Sequence, residues 1–290
     1  MSENVINNLI DSKSFDTIIT SVKNPSVKLA KALLTQTRQR KKLGQTVLEG
    51  VHLVDALLTR FQESSKPLNV QLNQILLAQN ALDNSEVQGI LSQLNELDMT
   101  SGDVTILEDS LYQSIRSLGD GVDIMAIIDT PVQTLETVSP ITTDCLILND
   151  VQDAGNVGTL LRTASCVGVT TIICTMGTAS VWSPKTLRAG MGAQFGLTIF
   201  ENVDVDKLLN HVQTPLFATS SHTDKVIFDY DLTKPMAWIL GNEGQGVTIE
   251  LMNQATSIAL PQPNGGESLN VGVAGSVCLF EMLRQRSFSQ

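Results

Sequence analysis

Cysteine and histidine are scarce in this chain of 290 residues: Cys145, Cys166, Cys174 and Cys278 stand apart with no Cys-x-x-Cys pair, and His52, His211 and His222 lie far from one another. Such spacing offers neither a disulfide framework nor a zinc site, so reduced, buried thiols in a cytoplasmic protein and no bound metal are expected. The first residues, Met1-Ser-Glu-Asn-Val-Ile-Asn-Asn, have neither the basic nor the apolar region of a signal peptide. No apolar run reaches membrane-spanning length, and no membrane partner is expected. A nucleophilic Ser or Cys beside a His is missing, as is a carboxylate dyad, which excludes most hydrolases. Gly241-Asn-Glu-Gly-Gln-Gly246 is neither a dinucleotide fingerprint nor a Walker loop, because its glycines run G-x-x-G-x-G and no Lys-Ser/Thr follows.

Positive charge is also short, with 19 Lys and Arg against 30 Asp and Glu and a net charge of −11. As a global number this argues against a polyanionic partner. Its distribution argues the other way. Thr17 to Leu48 contains no acid, yet holds Lys23, Lys28, Lys31, Arg38, Arg40, Lys41 and Lys42, seven of the nineteen basic residues. Residues 49 to 140 carry fourteen acids against three basic residues. An unmixed basic run is either a solvated helix face or a surface for a phosphate backbone.

What is present is an ordinary globular composition, 42% hydrophobic, with room for one large domain or two ordinary ones. Residues 1–16 read as a lead-in. Over 17–130 the pattern is that of a small α/β unit: a helix after Asn24-Pro-Ser with Ser26 as cap, a strand at Thr46-Val-Leu-Glu, helices from His52 and over Glu86 to Leu97, an apolar segment Gln74 to Ala78, a strand Val104 to Leu107 and a helix Asp109 to Ser117. The Thr/Ser/Pro-rich 131–143 reads as a linker. From 144 to 290 strand, loop and helix alternate, with strands at Cys145, Thr171, Leu197, Leu216, Ala237 and Ser257 and helices over Thr159 to Val167 and Ser183 to Met191. That order predicts a mostly parallel sheet with ligands at the carboxyl ends of its strands.

Three polar, Gly-rich loops fall at those ends. In the first, Asn156 stands near a helix start, and Arg162 is the lone charge in Thr159 to Val167, so it either pairs with an acid such as Asp153 or meets an anionic substrate. The second is Gly241 to Gly246. The third, Pro261 to Gly266, is kept irregular by two prolines and Asn-Gly-Gly, leaving backbone amides free to face a ligand. After it a helix capped by Ser268 carries apolar and small residues nearly all round, which predicts burial. With no nucleophile or metal ligands, the remaining chemistry is that of a cofactor positioned by the protein, and methyl transfer from a sulfonium suits a dry, backbone-lined pocket. Lys185 and Arg188, three apart on one helix, are candidate RNA contacts or surface ion-pair partners.

The segments Gly155-Asn-Val-Gly-Thr-Leu-Leu-Arg-Thr-Ala164, Ser183-Pro-Lys-Thr-Leu-Arg-Ala-Gly-Met-Gly192, Leu240-Gly-Asn-Glu-Gly-Gln-Gly246 and Leu260-Pro with Glu267-Ser-Leu-Asn-Val-Gly-Val-Ala274 resemble, in order and spacing, the motifs of the SpoU (TrmH-like) RNA ribose 2′-O-methyltransferases. The likeness spans about residues 145–286, and Lys23 to Val54 is similar to the substrate-binding domain such enzymes often carry. The resemblance implies a parallel α/β domain tied in a C-terminal trefoil knot, preceded by a ribosomal-protein-like α/β domain, and a homodimer through the knot. It implies S-adenosylmethionine held by backbone around Gly241, Leu260 and Leu269, with Thr219, Gly246 and Ser268 nearby. It assigns Arg162 to the ribose hydroxyl and Asn156, Glu243, Ser268 and Asn270 to the polar site. The substrate expected is structured RNA, ribosomal rather than transfer RNA. A transfer-RNA 2′-O-methyltransferase, or a non-catalytic RNA-binding or ribosome assembly factor with the same fold, is the alternative.

Overall fold

The computed structural model describes residues 17–63, 70–97, 104–220, 223–263 and 269–288. The lead-in 1–16 and Ser268 lie outside them. The chain divides into two units, Met1–Pro131 with Trp182–Pro184, and Val132–Val181 with Lys185–Gln290.

The first unit opens with α1 (Pro25–Thr35). Its cap is Asn24, whose side chain accepts from Ser26 N at 2.9 Å, not Ser26 itself. Pro25 explains the shift: its fixed φ suits the first helical position and its missing N–H costs nothing there. Then follow α2 (Thr37–Leu43), β1 (Gln45–Glu49), α3 (Val51–Gln62), β2 (Leu72–Ala78), α4 (Ser85–Glu96), β3 (Val104–Leu107), α5 (Asp109–Gln113) and β4 (Ile124–Asp129). The sheet order is β1-β4-β2-β3, with β4 antiparallel to both neighbours and β2 parallel to β3. The strand β4 is an addition to the sequence reading. Its five consecutive buried residues, Ile124 to Ile128, sit in the middle of the sheet, where both faces are covered and no alternation survives.

The second unit begins inside the Thr/Ser/Pro-rich stretch. Leu135 and Ile141 lie in its core beside Ile147, Phe200 and Leu208, so composition alone understates how firmly residues 131–143 are held. Its strands are β5 (Cys145–Asn149), β6 (Thr171–Thr175), β7 (Thr198–Val203), β8 (Leu216–Thr219), β9 (Ala237–Gly241) and β10 (Thr256–Ile258). They form one sheet, β10-β8-β9-β5-β6-β7, in which every neighbouring pair is parallel. Between them run α6 (Ala154–Cys166), α7 (Pro184–Gly190), α8 (Val205–His211) and α9 (Ile249–Met252), and α10 (Val271–Phe288) closes the chain.

Two helices depart from expectation. α6 starts at Ala154, five residues before Thr159, because the Asp153 carboxylate accepts from Gly155 N at 2.7 Å and Asn156 N at 3.0 Å. Such a cap stabilises by about 1 kcal/mol, enough to carry two poor helix formers in the first turns. α10 begins at Val271, and the cap seen there is Asn270, whose Oδ1 accepts from Val273 N at 3.2 Å. α10 is buried on one face only: Cys278, Leu279 and Met282 are covered, whereas Val273, Val277 and Phe280 are 51%, 41% and 53% exposed. The inner face is fitted closely. A Cβ on Gly275 would lie 2.3 Å from Leu240 Cδ1 and 2.4 Å from Leu160 Cδ2, so glycine lets α10 press onto β9 and α6 of its own chain.

Candidate active site

β5 and β9 are sheet neighbours, with Asn149 paired to Gly241 at their carboxyl ends. From β5 the chain moves toward β6 and β7, while from β9 it moves out to β10. Loops that diverge from adjacent parallel strands leave a crevice, and ligands of open α/β sheets bind there.

One wall of the crevice is the start of α6. Asn156 Nδ2 donates to Glu243 Oε1 at 3.0 Å, and Asn270 Nδ2 donates to Asn156 Oδ1 at 3.0 Å. Three of the four polar residues that the resemblance assigned to the site, all but Ser268, therefore form one chain of hydrogen bonds. Glu243 also accepts from Gln152 N at 3.1 Å and Asp153 N at 3.2 Å. Burial pushes its carboxyl up, but the bonds from Asn156, Gln152 and Asp153 outweigh that and hold it below its ordinary value. Arg162, two turns further along α6, is exposed and makes no hydrogen bond or ion pair among the described residues. Asp153 does not serve it. Its second oxygen is 2.8 Å from Lys185 Nζ, and that bond and the two capping amides hold Asp153 below its ordinary value.

The other wall is nearly free of side chains. Thr219 ends β8, Gly241 ends β9 and Leu260 follows β10, and these strands are consecutive in the sheet. Gly241 permits a close approach, since a Cβ on it would stand 2.2 Å from Gly246 C. Gly246 has φ +74, and nothing lies within 4 Å of where its Cβ would be. With exposed Leu269 beside the start of α10, the surface is backbone and apolar carbon, which suits an adenosyl group and a sulfonium and needs no counter-charge.

The remaining thiols and basic residues divide by environment. Burial raises the Cys145 and Cys278 thiols to about 12 and lifts Cys174 well above the ordinary thiol value, so none of these is a thiolate at neutral pH. Among the described residues no three or more His, Cys, Asp and Glu side chains group to hold a metal ion. Lys23, Lys28, Lys31, Arg38, Lys41 and Lys42 are exposed. Arg40 is different: its guanidinium donates to Leu33 O at 2.6 Å and to Thr37 Oγ1 at 2.8 Å, closing the end of α1. Lys185 is engaged by Asp153, and Arg188 is half-buried. A separate cleft of about 520 Å³ lies at the carboxyl ends of β5, β6 and β7. It carries Asp150, Asp204, Asp206 and Glu250 and is a poor host for phosphate.

Sequence reasoning passed over Asn149 and Asn242, because a lone Asn beside Gly reads as turn chemistry. Asn149 is buried, donating to Thr175 Oγ1 at 3.2 Å and accepting from Thr248 N at 2.8 Å, and so fastens the end of β5.

A parallel sheet with a Gly-rich ligand loop, a chain of polar hydrogen bonds and an arginine unengaged among the described residues fits a cofactor-dependent transferase for an anionic substrate. Known proteins make the class specific. The model of the SpoU rRNA methylase family matches residues 145–280. An uncharacterized tRNA/rRNA methyltransferase of Synechocystis sp. is 33% identical over 275 residues, covering 92% of this chain and 94% of that protein. The 23S rRNA (guanosine(2553)-2′-O)-methyltransferase of Bacillus subtilis is 25% identical over 268 residues, 91% of this chain and 98% of that one. The crystal structure of an AdoMet-bound rRNA methyltransferase from Sinorhizobium meliloti matches with a TM-score of 0.77 at 25% identity, over 92% of this chain and 97% of that one. The chain belongs to the SpoU rRNA methylase family and is an S-adenosylmethionine-dependent RNA methyltransferase.

Proposed function

We propose that the chain methylates a ribose 2′-hydroxyl in structured ribosomal RNA. The observation that carries this is the junction of two walls: the Glu243–Asn156–Asn270 chain and unengaged Arg162 on one side, and the backbone of Gly241 and Gly246 with Leu260 and Leu269 on the other. S-adenosylmethionine, held by the second wall, would supply the methyl: the S–CH3 bond breaks as the 2′-O–CH3 bond forms, the sulfonium becomes a neutral thioether, a change that a dry pocket favours, and the hydroxyl proton leaves to solvent.

The chain's own residues have distinct tasks. A guanidinium offers five donors and no acceptor, so Arg162 orients the hydroxyl or clamps a neighbouring phosphate rather than taking a proton. Glu243 is occupied by three donors and orients Asn156, whose amide in turn meets Asn270. Residues 17–130 form the RNA-binding domain, with a ribosomal-protein-like fold. Exposed Lys23, Lys28, Lys31, Arg38, Lys41 and Lys42 support that role, and Arg40 serves the helix junction. Residues 144–290 form the methyltransferase domain, its last segment threaded as a trefoil knot. Exposed Val273, Val277 and Phe280 on α10 support a homodimer through that helix. A cytoplasmic location goes with the substrate, and no described helix is long and apolar enough to cross a membrane.

The test is transfer of labelled methyl to separate pools of unmodified ribosomal and transfer RNA, with wild type beside Arg162→Ala, followed by nucleoside analysis. The expected result is 2′-O-methylribose in ribosomal RNA with wild type only, while both proteins bind S-adenosylmethionine. Label on a base, or Arg162→Ala losing cofactor affinity as far as activity, would overturn the reading.

A further inference from the structure

Asn242 uses every hydrogen-bonding position it has. Its Oδ1 accepts from Gly244 N at 2.9 Å and Gln245 N at 3.0 Å, which turns the loop tip back on itself. Its Nδ2 donates to Asp150 O at 3.0 Å and Asp150 Oδ2 at 3.1 Å, across to the loop after β5. Its backbone pairs both ways with Gly246, N to O at 3.0 Å and O from N at 2.9 Å. An amide alone among short side chains offers two donors and a two-way acceptor at once: Asp has no donor and Ser lacks the reach. The partner is itself unusual. Asp150 sits at φ 58, in the left-handed region, which Asp and Asn tolerate better than most residues. Gln152 Nε2 holds its other oxygen at 3.3 Å.

Glu243, the next residue, binds the same neighbouring loop by the opposite chemistry, accepting from Gln152 N and Asp153 N. Two consecutive side chains therefore stitch 242–243 to 150–153 and make the two walls of the crevice one rigid body. We infer that Asn242 is a positioning residue: through Asp150 it sets the Gly244–Gly246 backbone against the start of α6, and it acts on cofactor affinity, not on the transfer step. This rests on reading Gly241–Gly246 as the cofactor loop.

Asn242→Asp keeps shape and both acceptors but removes the donor and puts a second carboxylate against Asp150. Asp150→Asn combined with Asn242→Asp returns the donor from the other side, and Asn adopts the left-handed conformation at 150 without added strain. Three readouts are taken on the full chain: amide hydrogen exchange over 241–247 without cofactor, S-adenosylmethionine binding by calorimetry, and kcat for transfer to ribosomal RNA at saturating cofactor. In Asn242→Asp, exchange quickens and the Kd rises, each by about tenfold or more, while kcat stays within about threefold. In the double variant most of both losses returns. Unchanged exchange in the single variant overturns the inference, as does a double variant no better than the single. A wild type that binds no S-adenosylmethionine overturns the functional reading, while the exchange arm still judges Asn242 by itself.

Discussion

Glu243 separates two mechanisms that a sequence cannot tell apart. A carboxylate in a methyltransferase site invites the role of general base, whereas its contacts make it a holder of Asn156. In Glu243→Gln the retained oxygen still serves Asp153 N and Asn156 Nδ2, at 3.2 and 3.0 Å in the wild type. The new amide then faces Gln152 N, which donated to the other oxygen at 3.1 Å, so a donor meets a donor. One charge-assisted bond is lost and the rest weaken. At this exposed site that amounts to about 1–2 kcal/mol of held geometry, or a fall of about 5- to 30-fold in kcat/KM. Removing a general base instead costs about 10² to 10⁴-fold. The pH profile gives a second criterion. The Glu243 carboxyl lies below its ordinary value, so it is ionised throughout the neutral range and its removal leaves the profile's shape unchanged. The assay is kcat/KM for labelled methyl transfer to ribosomal RNA across that range, with circular dichroism to check folding. A loss of three orders of magnitude, or an acid limb that vanishes in Glu243→Gln, would refute the positioning role.

Other perturbations probe packing, charge and RNA binding. A Cβ on Gly158 would stand 2.6 Å from Thr186 O and 2.8 Å from Gly190 N, both backbone atoms of the neighbouring segment, so Gly158→Ala should lower stability by about 1–3 kcal/mol. A denaturation midpoint within error of wild type, at equal m, would contradict that packing. Asp153 has a depressed folded value, so its contribution to stability is present above the ordinary carboxylate pKa and is lost as pH falls through the folded one. Wild type should therefore lose melting temperature on acidification more steeply than Asp153→Asn; parallel curves would remove the Lys185 pair from the account. In the combined Lys41→Ala and Lys42→Ala variant, the slope of log K for ribosomal RNA against log salt should flatten by roughly 0.7–0.9 for each phosphate that is no longer neutralised. An unchanged slope would place the RNA elsewhere.

The parallel sheet and the loops at its strand ends were legible in the sequence because both are local signals. Buried strands such as Cys145–Asn149 read as short apolar runs, and Gly241 to Gly246 announces a loop. The features that sequence reading missed depend on a partner remote in the chain or in space. Ile124–Asp129 is a strand because two other strands flank it, and nothing in its composition separates it from a buried helix turn. Arg40 looks like its basic neighbours until the Leu33 carbonyl claims it. α10 looks buried all round, yet its Val273, Val277 and Phe280 face has no cover within the described chain. In the site, motif order grouped Asn156, Glu243 and Asn270, which hydrogen bonds join, but it left open whether Arg162 pairs with Asp153. Only the Lys185 contact answers that.

The net charge of −11 is not in conflict with an RNA substrate, because phosphate feels fields over about 8 Å at physiological salt and not the sum over a protein. Within the second unit four acids gather at one cleft. Asp150, Asp204, Asp206 and Glu250 crowd the carboxyl ends of β5 to β7, while Arg162 stands eight residues into α6, about 12 Å along its axis. Lys185 pairs with Asp153, the acid that caps α6, and so offsets its charge at the head of the helix. A polyanion is then repelled from that cleft and attracted to the Arg162 face of α6. Acidity of this kind orients the substrate toward the face where Asn156, Glu243 and Asn270 already lie in register.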